Sequence, residues 1–69
     1  MDGYSEIARL TTVRGRVLIT AYAHDTDGTY AYRGEGCGGT GHTSREYVMA
    51  RVQDAQEWPG GKTARLTTT

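Results

Sequence analysis

Two β-prone runs joined by Asp25-Thr26-Asp27-Gly28 constrain this chain more than any other feature. From Arg16 to His24, Val17, Ile19, Ala21 and Ala23 alternate with Leu18, Thr20, Tyr22 and His24. That is the two-residue period of a strand. Both sets contain apolar residues, which suits a central position in a sheet. Asp favours the start of a tight turn and Gly tolerates the positive φ at its end. Thr29 to Arg33 then reads as the returning strand, with Tyr30 and Tyr32 on one face. A β-hairpin over 16–33 is therefore predicted.

The flanks are less regular. Residues 1–5 read as a loose start, and a short strand is expected near 7–13, broken by Arg14-Gly15. Gly34 to Gly41 holds five glycines, at 34, 36, 38, 39 and 41. Ordered glycine costs backbone entropy, so this stretch is either a mobile loop or a path that only glycine can follow, with a strand at about 37–41 as the ordered option. A helix is predicted over about 44–58. Thr43 and Glu46 have capping-box spacing, Tyr47, Val48, Val52, Ala55 and Trp58 form one stripe, and Pro59-Gly60-Gly61 ends it. Arg51 falls inside that stripe and is expected to stack on Tyr47 or Trp58 with its head in water. Lys62 to Thr69 is either a last strand, near 63–67, or a frayed tail. Within it Ala64-Arg65-Leu66-Thr67-Thr68 repeats Ala8-Arg9-Leu10-Thr11-Thr12 letter for letter.

Together these segments describe an α+β fold, a small antiparallel sheet packed against one helix. A chain of 69 residues makes one domain, 1–69. At that size only about 60% of the unfolded surface is buried, so the core is marginal and a staple or a partner is expected. Cys37 is the only cysteine, so no disulfide can form within the chain. Eight basic and eight acidic side chains cancel, without the basic excess usual among proteins that bind nucleic-acid phosphates. No apolar run is long enough for a transmembrane helix, and no basic start precedes an apolar stretch as in a signal peptide. A cytoplasmic protein with no membrane association is expected.

Four kinds of chemistry can be weighed on the residues. Cys37, His42 and His24 are candidate zinc ligands, but a structural site takes four and no second cysteine is present. An idle thiol beside a surface histidine is the simpler reading. Cys37 with a histidine base would make a nucleophile, yet a chain this short has little room for a substrate cleft. Gly36 to Gly41 before a helix resembles an anion loop, but His42-Thr43 stands where a phosphate loop needs Lys-Ser/Thr. Tyr22, Tyr30, Tyr32 and Arg33 could stack and pair with bases, although tyrosine in a sheet more often packs against its neighbours. The strand–strand–helix order also suits the end of a double-stranded-RNA-binding domain. Only Arg45 is basic at the helix start, where that domain carries lysines.

One order of elements is more specific. Asp27-Gly28-Thr29-Tyr30-Ala31-Tyr32 is followed by Gly36-Cys37, Gly41-His42-Thr43, Glu46 and Asp54-Ala55. In that order the segment from Asp27 to Trp58 resembles the HicB family of antitoxins. The proline and Leu-Pro that precede Gly-Cys in the family are missing, and the link from Tyr32 to Gly36 is shorter. The resemblance implies a partial ribonuclease-H-like fold with one helix across the sheet. It also implies a protein that binds a HicA-type messenger-RNA-cleaving toxin and covers its active site. Many members add a C-terminal DNA-binding domain, and none is expected here. The matching residues serve turn, cap and packing, so the resemblance assigns no toxin-contacting side chain.

The expectation is thus a non-enzymatic protein-interaction domain, HicB-like, with no catalytic residue, metal or cofactor. The alternatives are a small nucleic-acid-binding module using the tyrosine face of the hairpin and a degenerate zinc-ribbon-like module. Tyr30, Tyr32, Arg33, Arg51 and Trp58 are the candidate partner-binding residues, aromatic and arginine side chains of the kind that anchor interfaces. The partner is a protein such as a cognate toxin, a second copy of the chain, or both; nucleic acid is not favoured.

Overall fold

The two β-prone runs form the hairpin that their alternation predicts, and the flanking segments extend it on both sides. The computed structural model describes residues 2–69. The strands are β1 (Tyr4–Thr11), β2 (Val17–His24), β3 (Tyr30–Gly34), β4 (Cys37–His42) and β5 (Arg65–Thr68). Between β4 and β5 lie the helix α1 (Arg45–Asp54) and a 3-10 turn over Ala55–Glu57. The sheet order is β4-β3-β2-β1-β5 and every pairing is antiparallel. The α+β architecture read from the sequence is the one found. β2 is central, as its two-sided apolar pattern requires.

The first strand starts three residues earlier than its expected start near 7 and stops short of Val13. Thr12 closes the β1–β2 turn instead. Its N–H donates to the Arg16 carbonyl at 2.8 Å, and its Oγ1 accepts the Arg16 N–H at 3.0 Å. Gly15 takes φ 89°, and Val13 is left at the tip, 79% exposed. Side-chain bonding to the local backbone has here overridden the β preference of Thr-Val.

The β1–β2 ladder contains two register shifts, between Glu6 and Ala8 and between Leu10 and Thr11. A bulge breaks strict alternation, because two residues on one strand then oppose one on the other. Ile7 and Ala8 accordingly both pack on the core, and so do Leu18 and Ile19. Leu10, Leu18, Ile19, Val48 and Val52 are its largest fully buried side chains, with Ala8, Ala21 and Ala55 between them.

The Gly-rich stretch is ordered as a strand. Glu35-Gly36 forms the tight turn between β3 and β4, with Gly36 at φ 71°, a conformation available to glycine at no steric cost. Gly34 is needed for a different reason. A Cβ there would stand 3.0 Å from the Leu18 carbonyl and 3.1 Å from both the Cys37 sulfur and the Trp58 ring.

The helix is shorter than the expected span to residue 58. Regular α structure ends at Asp54, and one 3-10 turn continues to Glu57. The cap is Ser44 rather than Thr43: its Oγ accepts the Tyr47 N–H at 3.1 Å. The register is thus one residue later than the Thr43–Glu46 box assumes, and Glu46 lies in the first turn, where a carboxylate is favourable beside the helix N-terminus. Among the described residues no helix is long and apolar enough to cross a membrane.

Candidate interaction surface

β3, β4 and the first turns of α1 converge on one corner of the molecule. In the β3–β4 ladder Tyr32 faces Gly39, and after a register irregularity Tyr30 faces His42. That irregularity brings the His42 ring beside Tyr32, stacked with centroids 5.6 Å apart and planes 25° apart. Gly39 leaves the space, since a Cβ there would come 2.7 Å from His42 Nε2. From the helix, Tyr47 closes on His42 at 4.8 Å and meets Tyr32 edge-on at 6.3 Å. One helical turn later, Arg51 lays its guanidinium over the Tyr32 ring, 5.9 Å from the centroid, within cation–π range. Arg51 also pairs with Asp54 at 3.5 Å. The arginine in the apolar stripe therefore rests on Tyr32, not on Tyr47 or Trp58.

Two polar atoms in this corner, His42 Nε2 and Arg51 Nε, are shielded from solvent and have no hydrogen-bond partner among the described residues. The Tyr32 phenol is pushed up from its ordinary value, first by burial and then by the neighbouring Tyr47 hydroxyl, with Arg51 opposing. Tyr32 thus keeps its proton through the physiological range and can donate a hydrogen bond. Tyr47 remains 45% exposed. The corner therefore presents an aromatic surface with a fixed cation at its margin.

The other candidate residues are distributed differently. Tyr30 packs against the core beside Tyr32 on the side of the sheet that α1 covers. Arg33 pairs across to Thr20 and lies on the opposite, uncovered face, with Arg9 and Tyr22 on neighbouring strands of that face. Trp58 is half-buried against the core, its ring over Gly34. Of the five, Tyr32 and Arg51 touch each other. His42 and Tyr47 complete the corner. The helix stripe already contains Tyr47, whereas the contact made by His42 depends on a ladder irregularity with no signature in the residues.

Cys37 and His42 share strand β4, and Cys37 carries a free, half-buried thiol. His24 ends β2, and its Nδ1 accepts the Thr26 and Asp27 N–H groups of the following turn, each at 3.2 Å. Among the described residues no three His, Cys, Asp or Glu side chains gather in a way that could hold a metal ion. No family model, curated protein or solved structure matches the chain.

Proposed function

We propose that the chain is a non-enzymatic protein-interaction domain whose contact surface is the Tyr32–His42–Tyr47–Arg51 corner. The observation that carries this reading is the half-exposed aromatic cluster with Arg51 fixed over Tyr32 and two shielded nitrogens unmatched. Tyrosine and arginine are enriched among the residues that carry most of the energy of protein interfaces: tyrosine buries a large area with few rotors and keeps a polar tip, and arginine offers a planar fork of donors. A partner carbonyl or carboxylate reaching Arg51 and the Tyr32 hydroxyl would gain charge-assisted hydrogen bonds. The order of turn, glycine and cap elements, similar to that of HicB antitoxins, supplies the partner class: a small messenger-RNA-cleaving toxin whose active site the domain covers.

The test is co-expression with a HicA-type toxin, read as growth rescue and co-purification. Tyr47→Ala and Arg51→Ala should each weaken association at least about tenfold, the effect of losing roughly 1.4 kcal/mol. Stability should fall by no more than about 0.5–1.5 kcal/mol, since Arg51 loses one partly exposed cation–π contact and Tyr47 loses aromatic contacts from a nearly half-exposed ring. Rescue by the wild type that both variants retain in full would overturn the assignment of this corner. Absence of any association would overturn the toxin as partner.

A further inference from the structure

The pentapeptide Ala-Arg-Leu-Thr-Thr occurs at 8–12 and again at 64–68, and the two copies are paired with each other. β1 and β5 run antiparallel with Leu10 opposite Leu66, Arg9 opposite Thr67 and Thr11 opposite Arg65. The register centres on the leucine of each copy. A segment that pairs antiparallel with its own sequence about its own centre is self-complementary, the property a two-fold interface requires.

The second copy of the segment is also an open edge of the sheet. β5 is the last strand in the order, all four of its residues are exposed, and Leu66 is 42% exposed. The other edge, β4, is interrupted by its register irregularity, whereas the β1–β5 ladder has none. β5 has neither a proline nor a bulge; its guards are its four-residue length and Arg65. The hydrogen bond from Thr69 N–H to the Ile7 carbonyl, 3.1 Å, sets the phase of the ladder. By antiparallel alternation the backbone groups of residues 65 and 67 face β1, and those of Leu66 and Thr68 face outward.

We infer that β5 pairs with β5 of a second copy of this chain, antiparallel and centred on Leu66. Leu66 of each copy exchanges its outward N–H and C=O with the other, and Arg65 falls opposite Thr67 of the second copy, as it falls opposite Thr11 within the chain. No like charges face each other. The two sheets become one, with five strands from each copy. On the helix side a row runs Leu10, Leu66, then the same two leucines of the second copy in reverse, and it covers the exposed Leu66 side chain. A four-residue strand makes an interface below the standard size, so the dimer is weak and depends on concentration. The surface is distinct from the Tyr32–Arg51 corner, and its test is independent of any toxin.

Sedimentation equilibrium of the wild-type chain should show reversible doubling of mass as concentration rises into the millimolar range. Leu66→Pro removes an N–H that faces away from β1, so it should leave the fold intact and the protein monomeric throughout. A second measurement does not depend on the proline being tolerated. In a Cys37→Ser background, Leu66→Cys should oxidise to a disulfide-linked dimer, because Cα atoms of a hydrogen-bonded antiparallel pair are about 5.5 Å apart, within disulfide reach. A wild type that stays monomeric at millimolar concentration overturns the proposal, as does a folded Leu66→Pro variant that still dimerises. So does failure of the Leu66→Cys variant to form a disulfide-linked dimer.

Discussion

Gly34 sits where three groups meet. A Cβ would press on the Leu18 carbonyl, which is backbone, as well as on Cys37 and Trp58. Gly34→Ala is expected to destabilise the domain by about 1–3 kcal/mol, the usual range for overpacking, measurable by urea denaturation. Asp27 acts in the β2–β3 turn, where its carboxylate accepts the Thr29 N–H at 2.9 Å and the Thr29 hydroxyl at 2.5 Å. Those bonds, the hydroxyl's first, hold its pKa below the ordinary 3.8. A carboxyl depressed on folding contributes stability above its unfolded pKa, and that contribution is lost as pH falls through the folded value. Asp27→Asn should therefore flatten the acid limb of melting temperature against pH below about pH 4, with little change in slope near neutrality. An unchanged acid limb would show that the turn bonds do not discriminate the ionised form. Both residues were legible as turn or Gly-rich elements. Only the tertiary packing of Leu18, Cys37 and Trp58 around position 34 explains why it must lack a side chain.

At the scale of elements, α1 depends on its surroundings. Its ten residues are too few for an isolated helix to be stable in water, and it buries only Val48 and Val52 one turn apart. The Ser44 cap is then a sizeable share of what holds its first turn. Ser44→Ala should cost about 1 kcal/mol, and Ser44→Asp should keep most of it. Thr43→Ala should have a much smaller effect, because Thr43 is not the residue that caps. Comparing the three variants by thermal melting reads the register of the helix start directly. Adjacent Thr and Ser are both good caps, so their order alone does not tell which is used; the choice follows from where β4 ends, at His42. The bulges in β1–β2 have the same origin. Ile7-Ala8 and Leu18-Ile19 are adjacent apolar pairs that strict alternation would split between faces, and the ladder shifts so that both pairs join the core.

For the whole molecule, the helix and the segment after it cover one face of the five-stranded sheet. Trp58 joins that cover to the strands, resting on the core near Leu18 and Gly34. Trp58→Ala is expected to cost about 2–3 kcal/mol, below the figure for a fully buried aromatic because the ring is half-buried. In a domain of this size that is a large part of the total stability. The drop should appear in melting of the isolated chain, and unchanged melting would show that the cover is held without it. The residues by themselves determined the 16–33 hairpin, a helix between the Gly-rich stretch and Pro59, and the α+β class. Each of these follows from local periodicity or turn chemistry, which act over a few residues. Tertiary structure alone decided the sheet order, the two bulges, the meeting of His42 with Tyr32 and the seat of Arg51. It also decided that the repeated pentapeptide pairs with itself. Those are contacts between segments far apart in the chain, selected by how a small set of apolar side chains can all reach one core.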